Sequence, residues 1–285
     1  MEKDPGRLKV LERIEENEKN GWFSKTVEDD PPTIPLTPDK VDYLNKKLSN
    51  KIATWFVNKI AKRFILKLVK SGQMRIKAIN GLENYEAVKD GGVIITCNHF
   101  NPFDNFAIHY ALFPYLYNRS GKVLYKIIRE GNFTNFPGLY GFFFRHCNTL
   151  PLSANFSTMK KFMDSLKVLL KRGETVLIYP EQEMWWNYRK PRPTEKGAYR
   201  FAAYSNVPVL PVLITMEDTA DIGPDGFAIQ EYTINFLKPV IPDPSKNPKQ
   251  NMDYMQKKNY EEWKEKYEEF YGIPLTYSCG PVNLE

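Results

Sequence analysis

Apolar positions recur along this chain with two different periods. From residue 81 onward, short apolar runs alternate with stretches of helical spacing. Val93 to Cys97 follows Gly91-Gly92 and reads as a buried strand, and Val123 to Ile128 reads likewise. Ser157 is placed to cap a helix with the apolar face Phe162, Met163, Leu166, Leu169 and Leu170, which Gly173 ends. Thr175 to Tyr179 is the next strand, Gly197 to Ser205 a helix and Val209 to Thr215 a further strand. Phe227 to Phe236 is a strand or hairpin, and Asn251 to Tyr271 a charged C-terminal helix. Strands alternating with helices predict an α/β domain over residues 81–250, with a helix and tail over 251–285.

Upstream the pattern changes. Residues 1–40 are polar, with a short helix predicted from Leu8 to Glu18 and then the proline-rich run Asp29 to Pro35. Proline at that density disfavours helix and central strand alike, so the segment reads as a passive extended arm. Residues 41–80 are predicted to carry a basic amphipathic helix. Val57, Ile60, Ala61, Phe64, Ile65 and Leu68 make one apolar face, and Lys59, Lys62, Arg63, Lys67 and Lys70 the opposite one. From Lys46 to Leu82 there are ten Lys/Arg and no Asp/Glu, with Trp55 and Phe56 at the boundary. Such a helix suits an anionic membrane interface, where each basic group contributes on the order of 1 kcal/mol. The alternative is a helix packed on its own core with a solvated basic face. No zinc-finger spacing or aromatic RNA-binding signature accompanies the charge, so no nucleic-acid partner is expected.

Composition narrows this further. The chain has 285 residues, 42% apolar, which suffices for a sizeable core, and a net charge of +6 that favours acidic partners. Cys97, Cys147 and Cys279 make no disulfide framework and suggest free thiols in a reducing compartment. The charged opening Met1-Glu2-Lys3-Asp4 is unlike an export signal, and no stretch reaches the roughly 18 apolar residues of a membrane span. The expectation is a cytoplasmic protein, peripheral on the inner face of the cell membrane.

Two predicted strand ends carry candidate chemistry. In Asn98-His99-Phe100-Asn101-Pro102-Phe103-Asp104, a turn between strand and helix can fold the Asp104 carboxylate onto one imidazole nitrogen of His99. That fixes the tautomer and leaves the other nitrogen as a base. No serine or cysteine is obviously partnered with it, so the base would act on a substrate hydroxyl. Tyr179-Pro180-Glu181 follows the next strand and offers a carboxylate to a hydroxylated substrate or an arginine. Val207-Pro208 to Pro211-Val212 looks structural.

In this order and spacing, with Lys196-Gly197-Ala198 between the last two, these segments resemble the glycerophospholipid acyltransferase superfamily over about residues 81–220. The resemblance implies a mixed sheet flanked by helices. It also implies transfer of a fatty acyl group from acyl-CoA or acyl-carrier protein, used as co-substrate without a cofactor or metal. The acceptor would be a hydroxyl of a lysophospholipid-type lipid, in the first instance 1-acylglycerol-3-phosphate. His99 would be the general base, Asp104 its partner, and Glu181 and Asn101 would meet the acceptor. Two arginines that the family uses for the acceptor phosphate are replaced here, by Leu152 and Met184. Arg145, Arg189, Lys190 and Arg192 are the nearby substitutes, the last three in the unusual loop Trp185 to Pro193. Two other readings remain open. One is a non-catalytic membrane-binding protein of the same fold. The other is a metal-dependent hydrolase using His99, Asp104 and Glu181, which three scattered histidines support poorly.

Overall fold

The computed structural model describes residues 2–117 and 121–282. In chain order its elements are α1 (Pro5–Lys19), α2 (Leu48–Lys70), β1 (Arg75–Asn80), α3 (Leu82–Glu86), β2 (Val93–Cys97), α4 (Phe103–Leu112), β3 (Leu124–Ile128), α5 (Glu130–Thr134), α6 (Gly138–His146), β4 (Thr149–Pro151), α7 (Phe156–Lys171), β5 (Thr175–Ile178), α8 (Gly197–Ser205), β6 (Val209–Ile222), β7 (Ala228–Phe236) and α9 (Pro248–Tyr271). Among the described residues the strands form one sheet in the order β1-β7-β6-β2-β5-β3-β4. All neighbours are parallel except β6 and β7, so the sheet is mixed, as expected. The parallel core β6-β2-β5-β3-β4 brings the C-terminal ends of these strands to one edge, where open α/β sheets place their ligands.

Helices cover both faces. One face packs Phe162, Leu166, Leu169 and Leu170 of α7 and Ala198, Phe201 and Ala202 of α8 on Ile94, Val176 and Val209. The other packs Ile65 and Leu68 of α2 and Ala107, Ile108, Ala111 and Leu112 of α4 on Val93, Ile95, Leu177 and Leu210. Strands β2 and β5 are buried along their whole length, which is why they read as continuous apolar runs rather than alternating ones.

Several sequence expectations shift. The cap of α7 is Asn155, whose side chain accepts the Thr158 N–H at 3.0 Å, and Ser157 lies inside the helix. The segment 41–80 is not helical throughout: β1 closes it as an edge strand paired with β7. Gly81 follows at φ +73, where a Cβ would collide with the Phe236 carbonyl, so the turn from β1 into α3 requires glycine. β4 is a strand of three residues, too short for its periodicity to show in the sequence.

Helix α2 also presents a different face. Val57, Ile65 and Leu68 are buried, but Phe64 is half exposed, and so are Leu48, Ile52, Trp55, Phe56 and Leu66 on other turns. The helix is therefore apolar on two sides, one toward the core and one outward. Leu139 and Tyr140 of the neighbouring α6 are exposed as well. No helix among the described residues is long and apolar enough to cross a membrane.

The N-terminal arm is not passive. Phe23 and Val27 are buried with Val10, Ile14, Trp185, Trp186 and Tyr277 in a cluster of their own. Further along the arm, the Ile34 N–H donates to Asn135 and the Leu36 N–H to Glu130 at 2.6 Å. The arm thus crosses the C-terminal ends of β5 and β3, held there by backbone hydrogen bonds that helix or sheet would otherwise satisfy.

Candidate active site

Strand β2 ends at Cys97, and the next side chain extends its ladder. Asn98 donates Nδ2 to the Ile214 carbonyl at 3.0 Å and accepts the Ile214 N–H at 2.9 Å, fastening the turn to β6. Asn101 then accepts the Phe103 N–H at 2.9 Å and starts α4. This brings Asp104, in the first turn of α4, back over the strand end. The His99 ring Nδ1 lies 2.6 Å from Asp104 Oδ2, which also accepts the Phe100 N–H at 3.2 Å. Asp104 Oδ1 accepts the Tyr179 hydroxyl at 2.8 Å. Asp104 is 1% exposed, and these donors are what make a buried carboxylate tolerable.

The Tyr179 ring stacks on the imidazole at 4.1 Å between centroids. Burial, with the adjacent Asp104 charge, pushes the Tyr179 phenol well above its usual range, so it stays a donor to the carboxylate. The His99 Nε2 has no hydrogen-bond partner among the described residues, and in the tautomer that donates Nδ1–H to Asp104 it carries the free lone pair. The His99 side chain remains partly open, at 23% exposure.

Glu181 holds the same turn from the next strand. Its Oε2 accepts the His99 backbone N–H at 2.9 Å and the Arg192 guanidinium at 2.9 Å, and its Oε1 accepts the Arg192 N–H at 2.7 Å. The loop from 180 to 187 also pairs directly with the histidine turn: Trp185 N–H donates to His99 O at 3.1 Å, and Asn187 N–H to Phe100 O at 2.9 Å.

The Acyltransferase family model matches residues 78–215, from β1 into β6, a span that contains His99, Asp104 and Glu181. This stretch belongs to the acyltransferase family. Among solved structures, the chain is similar to the crystal structure of the 1-acyl-sn-glycerophosphate (LPA) acyltransferase PlsC from Thermotoga maritima. The two are 21% identical over 77% of this chain and 84% of that one, with a TM-score of 0.46. No curated protein sequence matches.

Within the matched stretch, the other expected substrate-binding residues have different fates. Asn101 is buried. Its amide donates to Asn187 Oδ1 and Tyr232 Oη, both at 2.9 Å, so its polar atoms fix the turn. Arg192 has a fully buried side chain that donates to Glu181, Glu183 O, His99 O and, at 2.8 Å, Phe23 O of the arm, and it stacks over Trp185. Lys190 pairs with Glu18 at 2.7 Å. Burial resists ionisation of Glu18, but Lys190 and the Ser278 N–H outweigh it and lower the carboxyl pKa. Arg189 pairs with Asp218 at 2.7 Å. For Lys190 and Arg189 the sequence offers no partner, because Glu18 and Asp218 lie far away along the chain, whereas Glu181 is only 11 residues before Arg192.

Arg145 is elsewhere. It lies near the C-terminal end of α6 and donates to the Phe136 carbonyl. It lines a cavity of about 190 Å³ with Lys40, Tyr43, Asn50, His146 and Asn148, and with none of the residues around His99. The sequence reasoning missed Tyr179 as a partner of Asp104, although its place directly after the β5 run was a usable signal. It also missed Arg129, the first residue after β3, which pairs with Asp30 at 2.7 Å and Glu183 at 3.1 Å. Cys97, Cys147 and Cys279 are all free.

Proposed function

We propose that this protein moves a fatty acyl group from the thioester of acyl-CoA or acyl-carrier protein to a hydroxyl of a monoacylated glycerolipid. The observation that carries the reading is the His99–Asp104 pair, with Nδ1 bound to a buried carboxylate and Nε2 left open, inside a segment of the acyltransferase family. His99 Nε2 takes the proton of the acceptor hydroxyl as the oxygen attacks the thioester carbon. The C–O bond forms and the tetrahedral intermediate collapses. The C–S bond breaks, and the thiolate leaves with the proton from His99. Asp104 keeps the imidazole in the productive tautomer and stabilises the imidazolium. General-base catalysis of this kind contributes roughly 10²- to 10⁴-fold. Glu181 acts by holding the histidine backbone, and Tyr179 by orienting Asp104.

The reading includes a membrane partner. Leu48, Ile52, Trp55 and Phe56 of α2 and Leu139 and Tyr140 of α6 are exposed apolar side chains on adjoining helices, interleaved with Lys51, Lys59 and Arg63. That combination suits insertion into an anionic interface, on the cytoplasmic leaflet where acyl thioesters are available.

The test is acyl transfer from labelled palmitoyl-CoA to a panel of monoacylated lipids, with His99→Ala as the comparison. Turnover reduced about a hundredfold or more in the variant is the expected outcome. If folded, liposome-bound protein turns over nothing with either CoA or carrier-protein donors, the non-catalytic reading takes its place.

A further inference from the structure

The segments leaving the C-terminal ends of β2, β3, β4 and β5, residues 98–102, 129–137, 152–155 and 179–196, surround the catalytic histidine. They carry five cations: Arg129, Arg189, Lys190, Arg192 and Lys196. Every one holds a carboxylate. Arg129 has Asp30 and Glu183, Arg189 has Asp218, Lys190 has Glu18, Arg192 has Glu181, and Lys196 has Asp253. At the α4 N-terminus the Phe103 N–H is taken by the Asn101 side chain and the Asp104 N–H by the Asn101 carbonyl.

Arg129 is the informative member. It follows β3, two strand positions from the end of β2, or roughly 10 Å at ordinary strand spacing. It is half exposed and flanked by two carboxylates, one of them delivered by the N-terminal arm. A phosphate monoester reaching this guanidinium would have to displace Asp30 and then sit against Glu183. Like charges at that separation repel, and phosphate recognition needs cations or N–H groups that are uncommitted. By contrast, Asp30 Oδ1 and Glu183 Oε1 accept no hydrogen bond among the described residues and are open to hydroxyl donors.

Resting on the acyl-transfer reading above, we propose that the acceptor carries an uncharged, hydroxyl-bearing head, as in a monoacylglycerol or its glycoside, and not a phosphate monoester. Asp30 and Glu183 are the residues that set this preference. It replaces the 1-acylglycerol-3-phosphate expected from the sequence. The arm is then part of the specificity apparatus, because it carries Asp30 to the strand ends.

The experiment compares kcat/KM for 1-oleoylglycerol, its 3-glucoside and 1-oleoylglycerol 3-phosphate, with palmitoyl-CoA as donor, in mixed micelles. Wild-type protein is expected to favour one of the two uncharged acceptors at least tenfold. The double variant Asp30→Asn, Glu183→Gln should raise the phosphate ester's kcat/KM about tenfold, and adding Arg129→Gln should remove that gain. The Asp30 side chain is 49% exposed and that of Glu183 17%, and both substitutions are near-isosteric, so thermal melts would verify that the variant folds. Wild-type preference for the phosphate ester, lost in Arg129→Gln alone, would overturn the proposal while leaving acyl transfer standing. Turnover of none of the three, with CoA and carrier-protein donors both tried, would instead defeat the acyl-transfer reading beneath it.

Discussion

Arg192 reaches Glu181 at 2.9 Å with both side chains out of solvent, and the carboxylate oxygen that accepts the guanidinium also accepts the His99 backbone N–H. The position of the His99 imidazole is thereby tied to an ion pair closed within one loop. Removing one partner leaves a buried, uncompensated charge. Arg192→Met is therefore expected to lower stability by roughly 3–5 kcal/mol. Arg192→Lys should recover only part of this, since a point charge cannot serve several acceptors as a planar fork does. Urea unfolding checks both, and a loss under about 1 kcal/mol for the methionine variant would show that the pair is not holding the loop.

Asp104→Asn preserves shape but replaces the acceptor of the Nδ1 proton with a weaker, uncharged group. Acyl transfer is expected to fall roughly 10²- to 10⁴-fold with little change in KM. Steady-state kinetics on whichever acceptor is turned over would decide it. A rise in KM with kcat unchanged would place Asp104 in binding instead.

His109 gives the protein a pH-dependent stability separate from catalysis. It is fully buried on α4, and its Nε2 accepts from Lys126 Nζ at 3.0 Å. Burial, and then the Lys126 charge, hold its pKa well below the ordinary 6.5. Below about pH 6.5 the unfolded chain binds a proton that the folded one refuses. This group therefore leaves stability unchanged above that pH and lowers it below, by up to about 1.4 kcal/mol per pH unit. His109→Gln should flatten the difference between pH 6.5 and 5.5 in denaturation midpoints, and an unchanged slope would count against this assignment.

The outward apolar stripe of α2 can be tested without touching the core. Trp55→Asp with Phe56→Asp should weaken binding to anionic liposomes at least tenfold while leaving the melting temperature nearly unchanged, since both side chains are more than half exposed. Removing the whole N-terminus would be a poorer test, because the arm supplies Phe23 and Val27 to the core around Trp185. Co-sedimentation that does not change with the double variant would move the membrane contact away from this helix.

Much of the site was legible because its central contact is local. His99 and Asp104 are five residues apart across a single strand-to-helix turn, and the flanking strands are buried on both sides, so their apolar runs stand out. Glu181 could be placed at a strand end from the Tyr179-Pro180-Glu181 break. Its actual task was not legible: the same carboxylate serves equally well for a substrate or for a backbone N–H 82 residues away.

The sequence by itself determined the alternation of strands and helices, the His99–Asp104 pair and the positive charge of α2, since each depends on neighbours a few residues apart. Tertiary structure decided which side of α2 faces outward, that the N-terminal arm crosses the strand ends, and that Arg192 belongs to the core and not to the acceptor. It also decided that Arg129 meets Asp30 across a separation of 99 residues. An arginine in a sequence carries a charge but not the address of its counter-ion. Only the folded chain fixes which carboxylate it meets and whether a substrate can still reach it.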